Sequence, residues 1–266
     1  MNHVIFAADE QYSIPLSVAI YSFCKQNPSS AEVHVLYSAL SKKTLINLSR
    51  ITKKFSNKLT LHCIDNNRFE KQKSNIEYIT KATYYRYLIP EILTNTSTAL
   101  YLDADILVNR NLKDVFELSL GNLYAAGIND RCIENRDNGK YLYDVGMEHL
   151  KSRYINAGVL LLNLNKIRED NLQEAFFIND EQLKDKIQFQ DQDILNYTFN
   201  GKIILLDKMM NWMSYERDRR RLFARFRNPY IVHFTGPNKP WIRVRSYWDK
   251  QYFNTLKECE KFLRME

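Results

Sequence analysis

Glycine is scarce in this chain, with 7 residues among 266. Neither a GxGxxG nor a GxxxxGKS/T pattern occurs, which excludes the glycine-rich loops that hold phosphates in dinucleotide-binding and P-loop proteins. A diphosphate ligand would therefore need positive charge from another source. A divalent cation held by carboxylates is the expected substitute.

Long hydrophobic runs and paired cysteines are missing too. The longest apolar runs, such as "AGVLLLNL" (157–164), fall far below the roughly 20 residues that a membrane-spanning helix needs. The amino terminus "MNHVIFAADEQ" lacks the regions of a signal peptide, so we expect a cytoplasmic protein. The four cysteines are scattered without a CxxC spacing, which predicts reduced thiols and argues against a cysteine-based zinc site.

Basic charge is concentrated at the carboxyl end. Residues 217–266 contain 13 Lys and Arg against 5 Asp and Glu, whereas residues 1–216 carry a net charge of −1. The segments "RDRRRLFARFRNPY" and "WIRVRSYWDKQYF" could track nucleic-acid phosphates, lie on an anionic membrane surface, or form a solvated face. Apolar residues at helical spacing predict a helix that could dock on the domain or touch a membrane: Trp248, Tyr252, Leu256, Cys259 and Leu263.

Apolar runs alternate with amphipathic helical patterns along the chain. This alternation predicts βαβ units and an α/β fold with a mostly parallel sheet. "SIPLSVAIYSFCKQ", "SKKTLINLSRITKKF" and "ITKATYYRYLIPEIL" are predicted helices, the last up to Pro90. The predicted strands are "HVIFAA", "EVHVLYS", "LTLHCID", "TALYLD", "LYAAGI", "AGVLLLNL", "KIILLD" and "YIVHFT".

Polar residues stand at the ends of several of these strands. Ligands of open α/β sheets bind beyond the carboxyl ends of the strands, so these positions are candidate site residues. They are Asp9, Asp103, Asp105, Asn156 and His233. We expect them to contribute to a mononucleotide-type site.

The stretch "TALYLDADILVNR" places Asp103 and Asp105 around the small Ala104 at the end of an apolar strand. Both carboxylates can approach one hard cation if the chain turns there. A histidine on a neighbouring strand end would complete the ligands, and a mixed carboxylate and imidazole set suits Mn²⁺ better than Mg²⁺. An isolated acidic pair is a weak signal, and a lone histidine such as His233 is more often a core residue.

Six motifs together give a more specific signal. "FAADEQY", "TYYRYLIPEIL", "ALYLDADILV", "YINAGVLLLNL", "FQDQDILN" and "VHFTGPNKPW" occur in the order found in bacterial lipopolysaccharide α-galactosyl- and α-glucosyltransferases. Over residues 5–241 the chain resembles glycosyltransferase family 8. The resemblance implies a GT-A fold, with a Rossmann-like sheet and helices on both faces. It also implies a UDP-sugar donor, Mn²⁺ with Mg²⁺ as the alternative, and retention at the anomeric carbon.

The resemblance further implies a catalytic domain over 1–240 and a basic, aromatic helical tail over 241–266. It assigns the metal to Asp103, Asp105 and His233. Further donor-binding positions are Ala7, Ala8, Asp9, Tyr12, Arg86, Ala104, Asn156, Ala157, Gly158, Asp191, Gln192, Gly236 and Lys239. Acceptor-binding positions are Asp130, Asn211, Trp212 and Thr235.

Catalytic roles are implied for Gln192, Asp193 and Lys239. Lys239 would stabilise the negative charge that grows on departing UDP. Retention needs either a nucleophile or a same-face attack, and the family position near the reacting carbon is Gln192, an amide. We favour same-face transfer with Gln192 stabilising an oxocarbenium-like state, and Asp193 is the alternative nucleophile. The uridine-side position that is often Asn in relatives is Gln11, a departure from the family pattern that replaces a short amide side chain by a longer one.

Four functions remain open from the sequence. The first is a retaining hexosyltransferase acting on a lipopolysaccharide or lipooligosaccharide, held at the anionic inner membrane surface by the tail. The second is transfer to a protein or glycogenin-like self-glucosylation, for which 17 tyrosines leave many candidates. The third is a non-catalytic nucleotide-sugar-binding module, and the fourth, which we do not expect, is nucleic-acid binding. The remaining histidines are expected to be structural or exposed: His3, His34, His62 and His149.

Overall fold

The computed structural model describes residues 1–72, 80–213 and 227–265. The chain forms two compact units, each assembled from separate stretches of sequence. The first unit comprises Met1–Cys63, Leu102–Glu117 and Lys208–Glu266, and the second comprises Ile64–Tyr101 and Leu118–Asp207. The arginine-rich segment "RDRRRLFARF" (217–226) lies outside the described residues, so its proposed contacts with a membrane or nucleic acid stay predictions.

Strands and helices alternate as the sequence pattern predicts. The strands are β1 (Asn2–Ala7), β2 (Ala31–Tyr37), β3 (Lys58–Cys63), β4 (Thr98–Leu102), β5 (Ile106–Val108), β6 (Ala125–Asn129), β7 (Ile155–Asn163), β8 (Ile203–Leu205), β9 (Trp212–Met213) and β10 (Ile231–His233). The helices are α1 (Ser13–Gln26), α2 (Lys42–Lys54), α3 (Ile89–Ile92), α4 (Lys113–Phe116), α5 (Arg131–Glu134), α6 (Lys140–Asp144), α7 (Leu164–Glu169), α8 (Leu172–Leu183), α9 (Gln190–Phe199) and α10 (Tyr247–Arg264). All eight predicted strands are confirmed, and β5 and β9 are short additions.

In the first unit, β1, β2 and β3 are parallel and lie in the order β3-β2-β1. Val4 and Phe6 of β1 are completely buried, as an apolar strand covered by helices requires. Helix α2 begins where the Ser41 hydroxyl accepts a hydrogen bond from the Thr44 amide, 3.2 Å away. These elements place Asp9 just beyond the end of β1.

A second, three-stranded sheet also belongs to the first unit, with the order β5-β10-β9. β10 is antiparallel to β5 and parallel to β9. Its register pairs His233 with Ile106 and Val232 with Leu107. Because β5 directly follows the DxD turn, this pairing brings the end of β10 to that turn.

Helix α10 packs on the first unit through the apolar stripe that the sequence predicts. Trp248 and Tyr252 join a buried cluster that includes Val18, Trp212 and Phe234. Ser246 and Asp249 cap the helix reciprocally. The apolar stripe thus packs against the protein itself. Of the two alternatives that the periodicity left open, the structure shows docking on the domain.

In the second unit the strand order is β4-β7-β6-β8. β6 is antiparallel to β7 and parallel to β8. Every residue of β7 is buried, which explains why its sequence is a continuous apolar run and not an alternating one. The fold is therefore α/β with mostly parallel strands, as predicted.

The segment before the DxD strand is helical in a tighter form than predicted. Lys81–Leu88 forms a 3₁₀ helix, and α3 follows with Pro90 in its first turn. Pro90 has no amide to bond the carbonyl four residues earlier, and the Arg86 carbonyl instead accepts from Ile89. Within the described part of the chain, no helix combines the length and the apolar character needed to cross a bilayer.

Candidate active site

The DxD turn and His233 form a compact group in the first unit. The Nε2 atom of His233 lies 3.2 Å from an oxygen of Asp105 and 3.6 Å from an oxygen of Asp103. The backbone amide of Phe234 donates to the Asp105 carbonyl at 3.0 Å, which continues the β5–β10 pairing into the turn. The side chain of Asp105 is 11% exposed and that of Asp103 is 25% exposed, so the group opens on the Asp103 side.

Lys239 is the cation next to this group. Its ammonium donates to the Asp105 carboxylate and, at 2.9 Å, to the carbonyl of Phe234. Burial alone would raise the pKa of Asp105, but the charges of Lys239 and His233 lower it below its ordinary value. Asp105 is therefore a carboxylate at neutral pH, and the buried Lys239 lies 5 residues after Phe234, the residue that follows β10.

The hydrogen bonding of His233 fits a metal ligand. Its Nδ1 atom lies 3.0 Å from the Oδ1 oxygen of the buried Asn211, and an amide oxygen only accepts. Nδ1 therefore carries the proton, and in the neutral ring the Nε2 lone pair points toward two carboxylates. Three convergent electron-pair donors suit a divalent cation, and a fixed second ring nitrogen is the usual support of a metal-bound histidine.

A second polar cluster lies in the second unit around Arg86. The guanidinium Nε atom is 2.9 Å from a carboxylate oxygen of Asp191, and both side chains are about 5% exposed or less. Nη1 donates to the Ala157 carbonyl at 2.5 Å, and Thr83 donates to the other oxygen of Asp191. The guanidinium also lies over the Tyr101 ring, 4.3 Å from its centroid. This ion pair is thus held by hydrogen bonds to Thr83 and to the Ala157 carbonyl.

Gln192 is held by the same unit through both ends of its amide. Its oxygen accepts from the Asn156 side chain and from the Ala157 amide, each at 3.0 Å. Its nitrogen donates to Asp130 at 3.3 Å, and Asn156 donates to the same Asp130 oxygen at 3.2 Å. Asp130 also caps α5, and burial raises the pKa of its carboxyl group. The structure thus brings Asp130, Asn156, Ala157 and Gln192 together.

Asp193 has a different environment from Gln192. Its side chain is completely buried, and its oxygens accept from the hydroxyls of Tyr154 at 2.5 Å and Tyr141 at 2.6 Å. The Phe189 amide adds a third bond at 2.7 Å. Burial raises the pKa of Asp193 against the lowering effect of these bonds. A carboxylate so enclosed anchors the start of α9 and has no free face for a substrate.

The residues assigned to uridine lie after β1. Ala7 and Ala8 are buried, and Asp9 caps the 3₁₀ turn Glu10–Tyr12 by accepting from the Gln11 amide at 3.1 Å. Tyr12 packs edge-on against Trp241, with ring centroids 6.0 Å apart. Sequence reasoning quoted Trp241 only as part of a motif and gave it no role.

Two residues assigned to the acceptor, Trp212 and Asn211, have structural roles. Trp212 is fully buried in the core cluster of the first unit, so protein side chains and not a ligand cover its indole. Asn211 binds the Nδ1 side of His233.

Sequence reasoning missed Thr83 as a member of the arginine cluster, although its position three residues before Arg86 in a helical segment could have suggested it. Gly236 has a φ of +73°, a conformation that only glycine adopts without strain, and Thr235 precedes it.

The comparison with known structures defines the class of this fold. The structure of the galactosyltransferase LgtC in complex with donor and acceptor sugar analogues superposes with a TM-score of 0.86 and 27% sequence identity, over 96% of this chain and 95% of that one. The fold is therefore that of GT-A glycosyltransferases, as the family resemblance implied. The chain belongs to glycosyl transferase family 8, whose family model matches residues 3–244.

Two similar proteins of this family are lipopolysaccharide glycosyltransferases. The lipopolysaccharide 1,2-glucosyltransferase of Escherichia coli is 27% identical over 266 residues, which cover 96% of this chain and 77% of that protein. The lipopolysaccharide 1,3-galactosyltransferase of Salmonella typhimurium is 26% identical over 259 residues, covering 94% of this chain and 76% of that protein. The resemblance stated from the motifs is confirmed.

Proposed function

We propose that this glycosyltransferase moves a hexose, galactose or glucose, from a UDP-sugar to a saccharide acceptor of the lipopolysaccharide or lipooligosaccharide type, with retention of configuration. The observation that carries the proposal is the convergence of Asp103, Asp105 and His233 beside Lys239. The similar lipopolysaccharide glucosyl- and galactosyltransferases support the hexose and the acceptor class.

The first unit supplies a binding place for the donor diphosphate. Asp103, Asp105 and His233 would hold Mn²⁺, with Mg²⁺ as the alternative, and the ion would neutralise the phosphate oxygens when bound. Lys239 already has a fixed position, because Asp105 and the Phe234 carbonyl bind its ammonium. A preorganised cation of this kind stabilises the negative charge of the leaving UDP without having to reorient. No protonated acid is needed for that leaving group.

In the second unit, the hydrogen bonds favour Gln192 over Asp193 as the residue that faces the reaction. Gln192 is partly exposed and its amide is oriented by Asn156 and Asp130, whereas Asp193 is enclosed by two tyrosines. In a same-face transfer, the bond between the sugar C1 and the phosphate oxygen breaks and a bond from C1 to the acceptor oxygen forms. The acceptor proton passes to the departing phosphate oxygen. Gln192 would stabilise the positive charge that develops at C1.

A peripheral position on an anionic membrane would bring the enzyme to a lipid-linked acceptor. The net charge of +8 over residues 217–266 supports this part of the proposal. Helix α10 cannot be removed to test it, because Trp248 and Tyr252 belong to the core of the first unit. Charge reversal at exposed positions is the suitable test, with Lys257→Glu and Arg243→Glu as a pair. Reduced binding to phosphatidylglycerol vesicles, with unchanged donor hydrolysis, is expected.

UDP release from a panel of UDP-sugars tests the function directly. The purified protein is assayed with Mn²⁺ and with EDTA, first without acceptor and then with lipooligosaccharide. We expect release from UDP-galactose or UDP-glucose, abolished by EDTA and accelerated by the acceptor. Absence of turnover with retained UDP binding would favour a non-catalytic nucleotide-sugar-binding module, and absence of both would contradict the proposal. Acceleration by a protein and not by the saccharide would favour a protein-glycosylating enzyme.

A Gln192→Ala variant tests the second unit's role within the same assay. We expect kcat to fall by about 10²-fold at nearly constant KM, because the lost interaction acts in the transition state. Asn179→Ala, which removes an amide bonded to Thr198 in the same unit, is the control and should leave kcat unchanged. A normal kcat in Gln192→Ala would remove Gln192 from the mechanism.

A further inference from the structure

Three histidines form a ladder on one face of the parallel strands β1, β2 and β3. His3 lies near the start of β1, His34 lies on β2 and His62 lies at the end of β3. The Nδ1 atom of His3 is 3.0 Å from Nε2 of His34, and Nδ1 of His34 is 3.1 Å from Nε2 of His62. Their rings are stacked with centroids 5.3 Å apart. Nothing in their spacing along the chain had suggested grouping these residues.

A carboxylate completes the group. Glu32 pairs with His3 in the β1–β2 register and shares a face of β2 with His34, two residues later. One ligand atom from each of His3, Glu32 and His34 lies within 4.8 Å of the other two. Two imidazoles and a carboxylate are the ligand set of many zinc centres that keep one position open for water.

The neighbours of these three residues orient them as a metal site requires. The hydroxyl of Thr60 donates to Glu32 at 2.6 Å, which fixes one carboxylate oxygen. The remaining ring nitrogen of His34 is engaged by His62. When Nδ1 of His34 donates to His62, Nε2 of His34 accepts from Nδ1 of His3. A metal ion would replace that proton, with His3 then carrying its proton on Nε2. Partners of this kind set the tautomer and the ring orientation of metal-bound histidines.

The local electrostatics are compatible with a bound cation. Burial lowers the pKa of all three histidines, that of His34 to about 4, so the rings are neutral near neutral pH. Hydrogen bonding from Thr60 lowers the pKa of Glu32, which is therefore ionised. Lys58 and the amino terminus oppose a cation, and both act on His3. Both opposing charges are exposed, so solvent screens them.

We propose that His3, Glu32 and His34 bind a divalent transition ion of the Zn²⁺ type, with His62 and Thr60 orienting the ligands. The site is distinct from the DxD centre, because it lies toward the start of β1 whereas Asp9 and the uridine-side residues follow its end. The two sites also differ in preference. Imidazole-rich sites bind Zn²⁺ more tightly than Mn²⁺, while a carboxylate-rich site with phosphate oxygens tolerates Mn²⁺ and Mg²⁺.

Cobalt titration of the full-length protein tests the site, since Co²⁺ replaces Zn²⁺ and reports its coordination by visible absorption. Metal-free wild type and Asp103→Asn are titrated side by side. We expect one equivalent of Co²⁺ with strong four-coordinate absorption in both proteins, displaced by one equivalent of Zn²⁺. Glu32→Gln and His3→Asn should weaken this binding at least tenfold, and His62→Asn should weaken it by about 10–100-fold.

His149→Asn is the matched control, because His149 is exposed in the second unit and bonded to Asn200. It should titrate like wild type. Identical cobalt spectra in wild type, His3→Asn and Glu32→Gln, or no strong absorption in wild type, would overturn the proposal. If these variants do not fold, Zn²⁺ protection of His3 from diethyl pyrocarbonate is measured in wild type, and failure to protect contradicts the site. Neither readout depends on sugar transfer.

Discussion

The DxD cluster of the first unit, which opens on the side of Asp103, and the buried arginine cluster of the second balance charge differently. In the first, Asp103, Asp105 and the Nε2 atom of His233 direct negative charge and lone pairs at one place, and Lys239 offsets only part of it. In the second, Arg86 and Asp191 form an ion pair whose atoms are bonded to neighbouring groups.

This difference teaches what each cluster can do. A cluster with more acceptors than donors is stabilised when a cation binds to it. It therefore binds a cation favourably. A cluster whose opposite charges are already paired gains less from an added charge, and its hydrogen bonds hold neighbouring groups in place. We therefore assign donor neutralisation to the first cluster and positioning of Ala157 and Gln192 to the second.

The largest expected effect is the loss of activity in Asp103→Asn. Removing a ligand of the cation forfeits several kcal/mol of charge stabilisation, which lowers donor turnover by about 10³-fold or more. Asp103 is a better probe than Asp105, because Asp105 also binds the buried Lys239. The exposed Asp114→Asn is the control. Metal-dependent turnover at the wild-type rate in Asp103→Asn would disprove the metal assignment.

Breaking the second cluster should act on stability. Arg86→Met leaves Asp191 as an unpaired buried charge, which costs roughly 3–5 kcal/mol of unfolding free energy. The control is Arg136→Met, whose pair with Asp137 is exposed and separated by 3.9 Å, and which should cost less than about 1 kcal/mol. Urea unfolding monitored by circular dichroism gives both values. Equal midpoints for the two variants would show that the arginine cluster does not stabilise the unit.

A smaller effect is expected when the support of His233 is removed. Asn211→Ala leaves Nδ1 of His233 without its acceptor, so Mn²⁺ affinity should fall by about 10–100-fold while the ligands stay in place. Asn111→Ala, an exposed amide of the same unit, should bind Mn²⁺ normally. Isothermal titration with Mn²⁺ and UDP measures both variants. Unchanged affinity in Asn211→Ala would mean that another group fixes the ring.

The smallest expected effect is a change in hydrogen exchange of the wild-type protein when Mn²⁺ binds, and it should differ between the two clusters. At a Mn²⁺ concentration ten times the dissociation constant, metal binding stabilises the native state by about 1.4 kcal/mol. Hydrogen exchange should slow at residues 102–109 and 231–234 of the first unit, and it should stay unchanged at 155–163 of the second. Protection spread evenly over both units would contradict a metal site confined to the first.

Much of the fold followed from local pattern. Alternating apolar and amphipathic segments gave the strand and helix order, since periods of 2 and 3.6 residues are set by backbone geometry alone. The 3₁₀ form of Lys81–Leu88 did not follow, because packing of its buried tyrosines and the missing amide of Pro90 select it. The place of α10 was open for a similar reason, since an apolar stripe does not say which surface will cover it.

In the candidate site, too, some features could be predicted from the sequence and others depended on the tertiary structure. Asp103 and Asp105 could be singled out because they are neighbours at the end of an apolar strand. The family resemblance also assigned His233 and Lys239, but their contacts with the DxD turn, including that of Lys239 with a carboxylate 134 positions away, depend on the pairing of β5 with β10. The sequence alone determined the order of elements, the acidic pair and the family, because these depend on residues close together in the chain. Only the tertiary structure decided which distant side chains meet at the DxD turn and at the histidine ladder, because strand register sets those contacts.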